Sequence, residues 1–109
     1  MSDRTDALLA MLERGQDSAL LRFSLGTEYF NADDPDAAIE HLQRAVELDE
    51  DHSAAWKLLG KAYADAGRPG EAIATFEKGI ETAERNGDRQ AVKEMQVFMR
   101  RAQKALAGG

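Results

Sequence analysis

The chain has 109 residues, of which 43% are hydrophobic and 31% are charged, and its formal net charge at pH 7 is −6. This length fits one domain, and this composition is that of a globular chain rather than a disordered one. The chain contains no cysteine, which excludes disulfides, thiolate metal sites and a cysteine nucleophile. The excess of acidic residues argues against nucleic-acid binding, which needs clustered lysine and arginine.

The first half of the chain predicts three helices, because its apolar residues recur at spacings of three and four. The first helix covers residues 3–14 and is expected to act as an N-terminal packing helix. The second is expected to be capped by Asp17 and to end near Asn31. The third begins after Asp34, a good N-cap, with Pro35 in its first turn, where the missing N–H is no loss.

The second half predicts three more helices. The fourth spans about residues 53–66, and Gly67 suits its C-terminal end. The fifth begins at Pro69. A long sixth helix over residues 88–107 is ended by the glycines at 108–109. No run of alternating β-branched residues competes with this pattern, so the predicted fold class is all-α.

The sequence repeats itself with a period of 34 residues. The first unit covers residues 19–52 and the second covers residues 53–86, and each unit contains two of the predicted helices. The pairs that are identical in both units include Leu25/Leu59, Gly26/Gly60, Tyr29/Tyr63, Pro35/Pro69, Ala38/Ala72 and Ile39/Ile73. One such hairpin cannot bury its apolar face alone, so the units are expected to stack.

The second unit contains the pattern Trp56-x-x-Leu59-Gly60-x-x-Tyr63, followed by Ala72-x-x-x-Phe76. This pattern and its period closely resemble the tetratricopeptide repeat (TPR) family. In the first unit Arg22 stands in the Trp place and Leu42 in the Phe place, and both units lack the family's late proline. The resemblance implies a small, single-domain TPR protein of bacterial type. Its fold would be a short right-handed α-solenoid of two TPR-like hairpins between the N-terminal packing helix and a long C-terminal capping helix.

The resemblance also implies a function, because proteins of this kind are mostly non-catalytic adaptors or scaffolds. They hold a peptide or a partner helix on the concave face, which the first helix of each unit lines. Carried over to this sequence, the expected peptide-binding groove contains Phe23, Thr27, Phe30 and Asn31 from the first unit, Lys57 and Lys61 from the second, and Met95 from the last helix. The expected partner is a protein or peptide.

Lys57 and Lys61 are one turn apart on the same predicted helix face. Two neighbouring ammonium groups repel each other mildly, so an acidic element of a ligand would be favoured beside them. The alternative interpretation is that both lysines are merely solvated helix charges. The stripe formed by Met95, Phe98 and Met99 also has two interpretations, which are a soft contact surface and the core packing of the capping helix.

Charge is unevenly distributed along the chain. Residues 85–104 contain six basic and two acidic residues, so this segment carries +4 and the rest of the chain −10. Such runs are usually solvated faces, and the expected state is a monomer. The alternative is salt-dependent head-to-tail self-association, in which the chain is a structural subunit of a larger assembly.

No pattern of residues predicts an active site. His41 and His52, the two histidines, do not have metal-ligand spacing, and no nucleophile elbow or phosphate loop occurs. His41 is expected at the surface, and His52 is expected to form a local hydrogen bond near a helix start. The sequence therefore predicts no catalytic residue, no metal and no cofactor. Without a secretory signal or an apolar run of about 20 residues, a cytoplasmic protein without a membrane contact is expected.

Overall fold

The computed structural model describes residues 2–108, and these residues form six α-helices. In chain order the helices are α1 (Asp3–Glu13), α2 (Ala19–Asn31), α3 (Pro35–Leu48), α4 (Ser53–Asp65), α5 (Pro69–Arg85) and α6 (Arg89–Gly108). No strand occurs within the described residues. The predicted all-α class and the six predicted helices are confirmed. The last helix runs one residue beyond its predicted end, since α6 includes Gly108, and Gly109 lies outside the described residues.

Each repeat contains the same turn between its two helices. Asp33 in the first unit has φ 59° and Gly67 in the second has φ 74°, so both adopt the left-handed conformation that ends a helix. In each turn the amide of the next residue donates to the carbonyl of Tyr29 or of Tyr63. Because the two turns share this geometry, the two hairpins repeat in three dimensions as they do in sequence.

The start of α2 differs from the prediction in its capping residue. The Ser18 side chain, not that of Asp17, accepts the hydrogen bond from the Leu21 amide, at 3.1 Å. Asp17 is instead drawn to Arg22, whose Nε lies 2.9 Å from the Asp17 carboxylate. A serine hydroxyl next to the first turn can cap as well as a carboxylate can, and it leaves Asp17 available for the ion pair.

Two glycines allow the helices of each hairpin to approach closely. A Cβ at Gly26 would overlap the side chain of Leu42, and a Cβ at Gly60 would overlap the ring of Phe76. Leu42 and Phe76 are both fully buried, so neither side chain can move out of the way at low cost. This packing explains why small and large residues are paired at the same positions in both units.

The helices stack in sequence order to form a short α-solenoid. α2 pairs with α3 and α4 with α5, while α3 packs on α4 and α5 packs on α6. The core runs through this stack and includes the fully buried Leu25, Leu42, Phe76 and Met95. In the described part of the chain, α1 contacts α2 alone. The predicted packing and capping roles of the two end helices agree with these contacts.

The expectation that His41 lies at the surface is wrong. His41 is only 7% exposed, and its ring stacks on the Tyr29 ring with the centroids 5.4 Å apart. Arg22 Nη1 lies 3.1 Å from His41 Nδ1, so the imidazole accepts a hydrogen bond from the guanidinium. Arg22, which holds His41 in this way, occupies the place in the repeat where the second unit has Trp56.

Candidate binding groove

The first helices of the two repeats and the last helix line one face of the solenoid. α4 contacts both α2 and α6, whereas α3 and α5 pack behind them. This face contains most of the residues that the sequence places in the groove. Since α6 occupies the position of a third unit's first helix, the groove has three walls although the chain has two repeats.

The α2 wall is mostly apolar. Phe23 is half-buried, and its ring centroid lies 4.7 Å from that of His52 at the start of α4. The imidazole of His52 also accepts a hydrogen bond from the Ala55 amide, which confirms its predicted local role. The Thr27 hydroxyl donates to the Phe23 carbonyl at 2.8 Å and is thereby tied to its own helix. This wall therefore offers a ligand rings more than hydrogen-bond donors.

Asn31 lies at the far edge of this wall. It is exposed and lines a cavity together with Ser2, which precedes α1, and Thr5, which lies in the first turn of α1. Asn31 is thus placed toward α1 rather than beside the two lysines of α4. Asn31 shares this cavity with none of the other predicted groove residues.

Lys57 is held in an ion pair across the groove. Its Nζ lies 2.9 Å from Glu94 Oε1, so α4 is joined to α6. The hydrogen bond from Lys57 and its positive charge keep the pKa of Glu94 below the ordinary value for a glutamate. The charge of Lys57 is therefore already balanced within the chain.

Lys61 lies in a different environment, one turn further along α4. Its Nζ is 5.4 Å from the centroid of the Phe30 ring and 5.0 Å from that of the Phe98 ring. Arg101 approaches the same Phe98 ring, with its Cζ 5.7 Å from the centroid. Within residues 2–108, neither cation forms an ion pair with a carboxylate. These two cations are attracted by an aromatic face but are not neutralised by it.

A cavity of about 370 Å³ lies beside these cations, between α4 and α6. Its polar lining includes Lys61, Asp65 and Arg101, and its apolar lining includes Phe76 and Phe98. The rings of Phe76 and Phe98 are stacked, with centroids 6.0 Å apart, so this apolar wall belongs to the protein core. The cavity combines an apolar interior with a rim that carries two positive charges and one negative charge.

Arg101 was not predicted as a groove residue, because the expected groove included only Met95 from the last helix. A helical repeat pattern would have found it, because Glu94, Phe98, Arg101 and Ala105 follow one another at spacings of three and four. The family pattern gave no reason to extend the groove that far. α6 is 20 residues long, whereas α2 and α4 each have 13, so its last turns extend the wall beyond the first helix of either repeat.

Met95 does not belong to the groove surface. Its side chain is fully buried, and its sulfur lies where a Cβ at Gly79 would be. The core interpretation is confirmed for Met95, while Phe98 and Met99 are half-buried against the core. The prediction of Met95 as a ligand contact is wrong because the helical stripe at this position faces α5 rather than the open face.

The described residues contain no group of three or more histidine and acidic side chains that could hold a metal ion. None of the helices between residues 2 and 108 combines the length and the apolar character needed to cross a membrane. The groove contains aromatic rings, cations and the cavity between α4 and α6.

Comparison with known proteins identifies the same architecture. A family model described as tetratricopeptide repeat matches residues 23–88. A TPR repeat-containing protein of Pseudomonas aeruginosa, PA0015, is 51% identical over 100 residues, which are 92% of this chain and 95% of that protein. The solution structure of protein BPP2914 from Bordetella parapertussis aligns with a TM-score of 0.82 and 44% identity, covering 97% of this chain and 94% of that one. The crystal structure of a tetratricopeptide repeat domain protein from Salinibacter ruber aligns with a TM-score of 0.72 and 29% identity, over 79% and 97% of the two chains.

Proposed function

We propose that this chain, which belongs to the tetratricopeptide repeat family, is a non-catalytic adaptor that binds a segment of another protein in its concave groove. Proteins of this family are generally protein–protein interaction modules. The ligand segment would be a peptide or a partner helix that carries an acidic element. No cofactor is required for such binding, and the expected location is the cytoplasm.

The observation that carries this proposal is the half-buried aromatic series along the groove. Phe23, Phe30 and Phe98 lie on α2 and α6 and are partly covered by the protein's own side chains. When a ligand covers the water-exposed part of these rings, the burial stabilises the complex by about 25 cal/mol per Å². Arginine is also enriched among the residues that dominate binding energies at interfaces, and Arg101 lies beside Phe98 in this groove.

The preference for an acidic element is supported by the cations in the same groove. Lys61 and Arg101 have no carboxylate partner among the described residues, while Lys57 is paired with Glu94. An acidic group that approaches Lys61 or Arg101 gains an interaction without breaking one. An acidic group that approaches Lys57 must compete with Glu94. The structure therefore favours Lys61 over Lys57 as the first contact for a ligand carboxylate.

The proposal is tested by capture of partners from an extract of the source cells. The wild-type chain is compared with Lys61→Glu and with Lys78→Glu, which changes an exposed lysine on α5 outside the groove. We expect the wild type and Lys78→Glu to retain the same protein and Lys61→Glu to lose it. A partner that both variants retain equally would place the interface outside the groove.

A second candidate function is assembly of the chain with itself. Helix α6 contacts α4 and α5, and no further helix packs on it in the described part of the chain. Its side chains Val97 and Leu106 are 37% and 59% exposed, next to basic residues. A mass measured by light scattering that rises with concentration and falls with added salt would favour this function. A constant monomer mass would favour the adaptor.

A further inference from the structure

We propose that the cavity between α4 and α6 is an anchor pocket for an internal acidic–apolar segment of the partner, with the apolar side chain in the cavity and the neighbouring Asp or Glu between Lys61 and Arg101. This inference rests on the proposed function and makes it specific. The sequence predicted Lys57 and Lys61 as the two cations beside an acidic ligand, whereas Lys61 and Arg101 line the same cavity.

The size and the walls of the cavity fit a side chain. Its volume of about 370 Å³ is near the lower end of the range for ligand pockets, which is about 300–1,000 Å³. Ala64, Ala102 and Ala105 contribute small side chains, so the space above the Phe76 and Phe98 rings stays open. A pocket with this lining suits a branched aliphatic or aromatic side chain.

The two cations that line the cavity have no carboxylate within 4.0 Å among the described residues. Lys61 and Arg101 both lie over the ring of Phe98, at 5.0 and 5.7 Å from its centroid. The ring face attracts both cations, but their mutual repulsion remains. Since both cations lie beside the same ring, a carboxylate that approaches this ring would be attracted by both charges. Charge complementarity therefore identifies the occupant as acidic.

Asp65 sets the strength of this preference. It lies on the same rim, four residues after Lys61 on α4, and forms no ion pair within 4.0 Å in the described residues. One carboxylate against two cations leaves the rim positive, but it weakens the attraction for a second carboxylate. Removal of the Asp65 charge is thus expected to strengthen the binding of an acidic ligand.

The course of the groove favours an internal segment over a chain terminus. A second cavity of about 350 Å³ is lined by Phe30, Asp33, Pro35 and Asp65. It shares Asp65 with the first cavity and continues toward α2. A segment that crosses the groove can occupy both cavities, whereas a chain that ends at Lys61 would fill one of them.

The test uses three acetylated pentapeptides, which are amidated Ser-Leu-Asp-Leu-Ser, its amidated Asn counterpart, and the same Asn peptide with a free carboxyl terminus. Each is titrated into the ¹⁵N-labelled full-length chain at low salt, and amide shifts are recorded. We expect saturable shifts concentrated on Lys61, Phe98 and Arg101, and about tenfold weaker binding of the Asn peptide, because it lacks the charge-assisted contacts. A free-acid Asn peptide that binds as tightly as the Asp peptide would contradict the internal segment and indicate a chain terminus.

Two neighbouring arginines provide matched variants. Arg100 and Arg101 are both exposed on α6, but only Arg101 lines the cavity. Arg101→Gln should weaken the Asp peptide about fivefold or more, Arg100→Gln should change it less than twofold, and Asp65→Asn should tighten it. Equal effects of the two arginine variants, or shifts located elsewhere, would overturn the pocket. If the partner is still captured through Lys61 in that case, the proposed function stands and only the anchor pocket fails.

Discussion

The Nζ of Lys57 and the Oε1 of Glu94 lie 2.9 Å apart, and this ion pair joins α4 to α6. The two residues are 37 positions apart in sequence. A carboxylate from the chain itself thus occupies the position beside Lys57 that a ligand carboxylate would take. The two lysines of α4 therefore differ: Lys57 is paired with Glu94, whereas Lys61 has no carboxylate partner among the described residues.

Glu94→Gln should increase the affinity for an acidic peptide. Loss of the Glu94 charge leaves Lys57 unbalanced and adds a third cation to the groove, which we expect to tighten binding about threefold at low salt. The measurement is the titration with the Asp pentapeptide, with Glu77→Gln on the exposed side of α5 as the control of equal charge. Equal gains for the two variants would show that only net charge matters.

Acid should destabilise the chain through His41. Burial, and then the nearby Arg22 charge, lower the pKa of His41 from its ordinary value of 6.5. Below about pH 6.5 the unfolded chain therefore binds a proton that the folded chain does not bind, so the free energy of unfolding falls as the pH falls. The neighbouring Asp17 does not titrate in this window, because its ordinary pKa of 3.8 lies below it and the hydrogen bond from Arg22 lowers the pKa further.

The measurement for His41 is urea unfolding at pH 7.5 and pH 5.5. His41→Gln keeps a hydrogen-bond acceptor for Arg22 but has no proton to gain. The loss of stability between the two pH values should be smaller in this variant than in the wild type. The same loss in both proteins would mean that other groups cause the acid effect.

Thr82→Val should stabilise the fold. The Thr82 side chain is fully buried and, among the described residues, its hydroxyl has no hydrogen-bond partner. A methyl group of the same shape removes a desolvated polar atom, and we expect a gain of about 1 kcal/mol. Thr75→Val is the control, because the Thr75 hydroxyl donates to the Glu71 carbonyl at 2.8 Å and its loss should bring no gain. Chemical unfolding of both variants measures the difference.

Gly60→Ala should destabilise the fold, although alanine favours helices. The new Cβ would overlap the buried Phe76 ring, and overpacking of this kind costs about 1–3 kcal/mol, against a helix gain of about 1 kcal/mol. Gly70→Ala is the control, since a Cβ at Gly70 meets no atom within 4 Å. The control should gain up to about 1 kcal/mol. A stable Gly60→Ala variant would mean that Phe76 moves more easily than its burial suggests.

The helices could be predicted because their signals are local and repeat. Asp34 and Pro35 mark a helix start, Gly67 marks a helix end, and the 34-residue period repeats the proline as Pro69. The capping residue of α2 was misassigned because Asp17 and Ser18 are adjacent and both can cap. Asp17 pairs with Arg22 in the folded chain, so Ser18 is the residue that caps the helix.

The groove was less predictable because its contacts join distant parts of the chain. His41 follows an exposed glutamate, but its burial depends on Tyr29 and Arg22 in the preceding helix. Likewise, nothing near Lys57 in sequence indicates that Glu94 neutralises it. Pairwise geometry of this kind appears only when the helices are stacked.

Site-specific photo-crosslinking tests the concave groove most directly. A benzophenone amino acid replaces Ala64, which lines the cavity, or Ala74, which is exposed on α5 outside the groove. In cells of the source organism, we expect position 64 to crosslink to another protein and position 74 to give no such product. A crosslink from position 74 alone, or a product that contains only two copies of this chain, would contradict binding of a partner in the groove.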